Sequence, residues 1–207
     1  MTIESTAASQ DKRVRRSRAA LMRAAIALVS ERGTAAIAIS EIADAADVSR
    51  PVLYQHFGDR DTLLLESALD LVERELLPRI ADPDHDVTSH GRALALARHF
   101  ADHRAFYRAM LTSSCGFALN RALSGLFIPV NRQLVQRAFG DTLDPQSADD
   151  LARFLTGAGA AFVNTWVIEG ADPLDPEEFT DRHMRMLPLA TAALRHSTTR
   201  HDMEPDT

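Results

Sequence analysis

The chain of 207 residues has one cysteine, no long apolar run and no sustained two-residue alternation of β-branched side chains. Each absence removes a class of protein. A single cysteine, Cys115, cannot close an internal disulfide, so a reducing cytoplasm is the expected compartment. No stretch reaches the roughly 20 unbroken apolar residues of a membrane span, so no membrane partner is expected. The opening MTIESTAASQDKRVRRSR has no apolar run behind its charges, which argues against a secretory signal. Without alternating strands the expected fold is all-α. The chain also lacks a phosphate-cradling glycine loop, a zinc-type Cys/His cluster and a nucleophile motif. Enzyme function therefore ranks low, and neither cofactor nor metal is assigned.

What is present divides unevenly. Apolar residues make up 45% of the chain and charged ones 25%, enough for a real core. The net charge of −6 at first disfavours nucleic acid. Residues 1–60, however, carry nine basic and seven acidic groups, a net of +2, which leaves 14 basic and 22 acidic groups, a net of −8, for the rest. A mildly basic head on an acidic body hints at a nucleic-acid-binding module, although a basic run alone is more often a solvated helix face.

Helical spacing places a first helix over about Asp11–Arg32, behind a frayed arm at residues 1–10, with Gly33 as its αL stop. Two brief helices follow, about Ser40–Ala46 and Arg50–Phe57, then a longer one from Arg60 to about Ile80. Further helices are expected at about Val87–Asp102, Arg104–Ser113, Phe117–Phe139, Gln146–Glu169 and Pro176–His196, before a disordered tail over 197–207. Pro129 and Pro188 fall inside helical pattern and should kink or interrupt it. This gives a helix-turn-helix head over 11–58 and a larger helical body over 59–196.

The informative stretch is ISEIADAADVSRPVLYQHFGDRDTL, residues 39–63. Ile42, Ala43 and Ala46 give the first short helix an apolar face, and Val48 can plug the turn. Ser49 suits the N-cap of a helix starting at Arg50, and Pro51 is tolerated in that first turn. Leu53 and Phe57, four apart, can face the core, leaving Arg50, Pro51, Val52, Tyr54, Gln55 and His56 over the remaining faces. Such a helix is poorly explained as packing and suits recognition in a major groove.

Here the sequence resembles the TetR family of bacterial transcriptional regulators, through a first helix ending in ERG, the run EIADAADVS, the signature LYQHF and the following GDRDTL. The resemblance spans about residues 12–65. It implies a three-helix DNA-binding head, a fourth helix leading into a ligand-binding and dimerising body, and a homodimer on double-stranded operator DNA. By position, Tyr54 and His56 resemble the family's phosphate-touching pair, and Arg60 takes the place of its basic residue at the start of the fourth helix. Arg50, Pro51 and Val52 fall where base-edge contacts are made; Gln55 could read adenine or hold phosphate. The arm Lys12, Arg13, Arg15 and Arg16 can follow the backbone or enter the minor groove. Ser49, and Ser40 as a substitute cap, complete the DNA-contacting set. The chain departs from the family in two places. Asp47 stands where glycine is common, so it must visit αL or the turn must adjust, and Ala38 stands where threonine is common.

In the body, Phe100, His103, Phe106, Met110, Phe117, Phe127, Phe162 and Trp166 fall on helices that line the family's ligand cavity, which favours a largely apolar small-molecule effector. Each of them alone is more often core. Gly157 and Ala161, with Met184 and Leu187, fall on the last two helices, which form the family's dimer bundle; tight packing within one subunit is the plainer reading of the glycine. His99 and His103 are four apart on one helix, but no third ligand is near in sequence, and ordinary surface or pocket histidines are expected. The expected function is a ligand-released repressor acting on a pseudo-palindromic operator. The competing readings are an all-helical interaction module or a helical enzyme that no longer binds DNA.

Overall fold

The computed structural model describes the backbone of residues 3–81 and 89–186 and, within these, the side chains from Asp11 onward. All regular structure among the described residues is helical. The first helix, α1 (Ile3–Arg32), begins ahead of the expected Asp11 and takes in most of the arm expected to fray. It ends as expected at Gly33, which takes φ +64°. Leu21, Ala25 and Val29 recur every four residues on α1 and are fully buried, so one stripe of this helix faces the core.

Helices α2 (Ile39–Ala45) and α3 (Arg50–Phe57) follow. The turn between them contains Asp47 at φ +52°, so the aspartate does visit the left-handed region. Ser40 is not the cap of α2. Ala38 is the N-cap residue, and the Glu41 carboxylate accepts from its backbone N–H at 3.1 Å while pairing with Arg32 at 2.7 Å. Glu41 thus supplies the returning half of a capping box, while its own N–H, which a capping hydroxyl would have taken, donates to the Ala38 carbonyl at 3.0 Å.

Helix α4 (Arg60–Glu75) stops short of the expected Ile80, and a single turn, α5 (Leu77–Ile80), continues beyond it. Pro78 supplies the reason, since it has no N–H to offer Arg74 and its ring crowds that carbonyl. Asp59 caps α4 by accepting from Thr62 N–H at 2.7 Å. Helices α6 (Ser89–Asp102), α7 (Arg104–Leu111), α8 (Gly116–Phe139) and α9 (Pro145–Glu169) build the body, with a further helical stretch over 176–186, called α10. Pro129 sits inside α8 without interrupting it. Leu187, Pro188 and the expected tail lie outside the described residues.

Head and body are not separated by a gap. One continuous cluster joins Leu21, Val29, Ile42, Leu53 and Phe57 to Leu64, Leu71, Tyr107, Leu119 and Trp166. Helices α1 and α4 carry it across. At the far side, Arg104 donates to the carbonyls of Val167 (3.2 Å), Gly170 (2.6 Å) and Ala171 (2.9 Å), satisfying the open end of α9 with a positive charge.

Candidate nucleic-acid interface

The buried pair Leu53 and Phe57 sets the rotation of α3. With that face committed, Arg50, Pro51, Tyr54 and Gln55 are exposed, Tyr54 by 50%, and Val52 is half-buried. Ser49 has the extended backbone of an N-cap, but its side chain makes no cap hydrogen bond; its carbonyl instead accepts from Val52 N–H at 3.0 Å. Pro51 removes one of the two donors that the hydroxyl could have served. The hydroxyl is exposed beside Arg50.

His56 differs from its neighbours. Its Nε2 lies 2.7 Å from Ser17 Oγ of α1, and its carbonyl accepts from Arg18 Nη1 at 3.2 Å. Burial first, and the adjacent Arg18 charge second, hold the imidazole below its ordinary pKa, so it is neutral at pH 7. Arg18 also stacks over the Phe57 ring at 4.5 Å and pairs with Glu66 of α4. One guanidinium therefore ties α1, α3 and α4 together. From the sequence Arg18 is only the last member of the basic run and has no role of its own; the weak signal of this one was its place three residues before Leu21 of the buried stripe.

Lys12, Arg13, Arg15 and Arg16 are exposed, with no ion-pair partner among the described residues. Lys12, Arg15, Arg16 and Arg23 surround a shallow depression floored by Ala19 and Ala20. Arg60 is half-buried and folded onto Asp61 at 2.7 Å, so reaching an external phosphate requires exchanging that partner.

In the body, a cavity of about 430 Å³ lies between α6, α8, α9 and α10. Its walls are mostly apolar and include Leu96, Phe100, Leu123, Phe127, Leu155 and Val163. Two polar rungs cross the wall: Asn164 Nδ2 donates to Asn120 Oδ1 and Asn131 Nδ2 to Thr156 Oγ1, both at 2.8 Å. Arg92 also lines the cavity, and its Nε is buried with no hydrogen-bond partner among the described residues. Ser89, Ser124 and His183, the last lowered in pKa by burial, are further polar residues of the lining.

Of the residues expected in the cavity, only Phe100 and Phe127 line it. Phe106 and Met110 are fully buried in the core, and His103 turns instead to Glu75 at 2.8 Å. Trp166 stacks on Phe179 at a centroid distance of 4.2 Å, and Phe162 packs tilted against the same ring at 5.0 Å. Phe117 is 83% exposed, and its expected place in the cavity is wrong: the face of α8 that packs is set by Leu119 and Leu123. Met184, expected at a dimer face, lines the cavity. Gly157 and Ala161 are exposed on α9, and a Cβ on Gly157 would meet nothing within 4 Å, so packing within the subunit does not account for this glycine.

Residues 21–67 match the family of bacterial regulatory proteins, tetR family. No curated protein matches the sequence. Among solved structures, the fold is similar to that of the dihydroxyacetone kinase operon activator DhaS, at 17% identity and TM-score 0.56, covering 86% of this chain and 97% of that one. It is similar also to a protein from Rhodococcus sp. assigned to the TetR-family transcriptional regulators, at 16% identity and TM-score 0.59, covering 84% and 97%. The matched segment holds α2, α3 and their exposed face, and the described helices follow the fold of these two structures: residues 21–67 carry the helix-turn-helix segment of the tetR family of bacterial regulatory proteins.

Proposed function

We propose that the protein is a homodimeric repressor that holds a pseudo-palindromic operator and leaves it when a small molecule enters the body. The observation that carries this reading is the division of α3 into a buried apolar face and an exposed face of Arg50, Tyr54 and Gln55. Arg50 has the fork to pair with guanine O6 and N7, while Pro51 and Val52 offer apolar contact to a thymine methyl. Tyr54, Ser49 and the arm residues Lys12, Arg13, Arg15 and Arg16 supply phosphate contacts, which position without reading sequence. His56 acts mainly by locking α3 onto α1 through Ser17.

Dimerisation draws support from α9. Phe154, Gly157, Ala158, Ala161 and Thr165 are exposed along one face, and Phe154 is 63% exposed. An apolar stripe of small residues beside one large ring fits a second copy of the same helix. This stripe also explains why α9 is apolar and long enough to pass for a membrane span by length and composition.

The effector fits an amphipathic molecule. The cavity volume and apolar wall suit a hydrophobic skeleton, and the unpartnered Nε of Arg92 calls for an acceptor, best an anionic one, at one end. Its entry shifts DNA affinity only through different affinities for the two arrangements of the heads. One structural relative is named an activator; repression is preferred here because it requires operator occupancy alone, for which the head is equipped.

The test is selection of a preferred duplex from a random pool, followed by titration at several salt concentrations. A regulator of this kind selects a palindrome, and log K falls steeply and linearly with log salt. Equal affinity for all duplexes, or no binding at low salt, overturns the reading.

A further inference from the structure

The corner where α4 ends against α6 and α7 brings together groups that no part of the DNA or cavity reading uses. Glu75, the last residue of α4, places Oε2 at 2.8 Å from His103 Nε2 and 4.0 Å from His99 Nδ1. One donor atom from each of the three lies within 4.8 Å of the others. We propose that Glu75, His99 and His103 form a binding site for one divalent transition-metal ion of the zinc class.

Two imidazoles and one carboxylate are a ligand set that zinc accepts, with a fourth position left for water or an external ligand. Metal–nitrogen bonds of about 2.0–2.1 Å put tetrahedral donors roughly 3.3–3.5 Å apart. Closing the corner to that size asks for side-chain shifts of about an ångström, opening the Glu75–His103 pair slightly and drawing His99 inward. The supporting geometry is already built. His99 is buried and its other nitrogen, Nε2, lies 2.9 Å from Tyr107 Oη. Coordination through Nδ1 fixes the tautomer in which Nε2–H donates to that hydroxyl, the outer partner a ligating histidine needs. Arg74 engages the other oxygen of Glu75, Oε1, at 3.6 Å, leaving Oε2 to the histidines. Glu75 and His103 retain 37% and 25% side-chain exposure, so an ion enters from their side. The three ligands come from the end of α4 and from α6 and its junction with α7, so metal would pin the helix that leaves the head against the body.

The site is tested on the full chain after chelator treatment, by calorimetric titration with zinc chloride and by the visible absorption of cobalt(II) in its place. The expected result is one zinc per protomer with micromolar or tighter affinity, tetrahedral cobalt bands, and a melting temperature raised by zinc but not by magnesium. Glu75→Gln and His103→Gln each weaken zinc by at least tenfold and abolish the cobalt bands, whereas His90→Ala changes neither. Wild-type protein without stoichiometric zinc binding overturns the proposal. So does a folded Glu75→Gln or His103→Gln chain that keeps wild-type affinity. Should either variant fail to fold, a zinc-insensitive melting temperature in the wild type is sufficient to refute the site. None of these readouts depends on DNA, so the regulator reading stands or falls separately.

Discussion

The head and the body of this protein expose opposite kinds of surface. The head encloses its apolar residues and turns charge outward: Leu53 and Phe57 are buried, while Arg50, Tyr54, Gln55 and the arm face solvent. The body does the reverse in two places, keeping an apolar cavity open inside and an apolar stripe exposed on α9. Polar groups left outside suit a polyanion, whereas apolar surface left uncovered calls for an apolar occupant. The two regions nevertheless share one core, so a change in the body has a packed route to the head through α1 and α4.

Removing the buried face of α3 should damage the head most severely. Phe57→Ala should cost about 3–5 kcal/mol, read by denaturant unfolding, because it empties a core site and removes the ring under Arg18. Loss below 1 kcal/mol would mean that α3 is held by something other than this packing. Next in size is Ala161→Arg, which leaves the subunit interior untouched and places two like charges at the proposed helix–helix seam. The dimer should weaken tenfold or more by sedimentation, with the secondary structure unchanged. Tyr54→Phe is milder, weakening every duplex alike by about 0.5–1.5 kcal/mol, as loss of one phosphate hydrogen bond requires. A sequence-dependent loss would move Tyr54 from positioning to reading.

The smallest effect concerns His56. Its folded pKa lies below its unfolded value, so stability is full above the unfolded pKa of about 6.5 and declines as pH falls from there toward the folded pKa. Arg18→Ala removes the repelling charge and should raise the imidazole pKa in an NMR titration, while burial still keeps it below 6.5. A pKa that does not rise would show that Arg18 acts on the head through packing alone.

The head was legible because its signals are local. LYQHF, the Ser-Arg-Pro start and the left-handed turn at Asp47 each fall within a few residues of one another, and α3 has the expected boundaries. The body was legible only as a succession of helices, since what decides a side chain's role there is the rotation of its helix against distant neighbours. Phe117 illustrates the limit: it is apolar, helical and correctly placed on α8, yet it faces solvent. Met184 shows the converse, lying inside the cavity rather than on a dimer face. The third member of the His99–His103 corner, Glu75, comes from a different helix, and no spacing rule reaches across that distance. Arg18 was hidden by its company, being one basic residue in a run whose other members face solvent.

Whether α3 reads DNA through Arg50 is decided by the ratio of affinities for the selected palindrome and for the same duplex with one base pair changed in each half-site. In the wild type, discrimination at the position read by Arg50 should amount to about 1–3 kcal/mol per half-site, and Arg50→Ala should abolish it while preserving discrimination elsewhere. An Arg50→Ala chain that discriminates at every position as the wild type does would show that Arg50 reads no base.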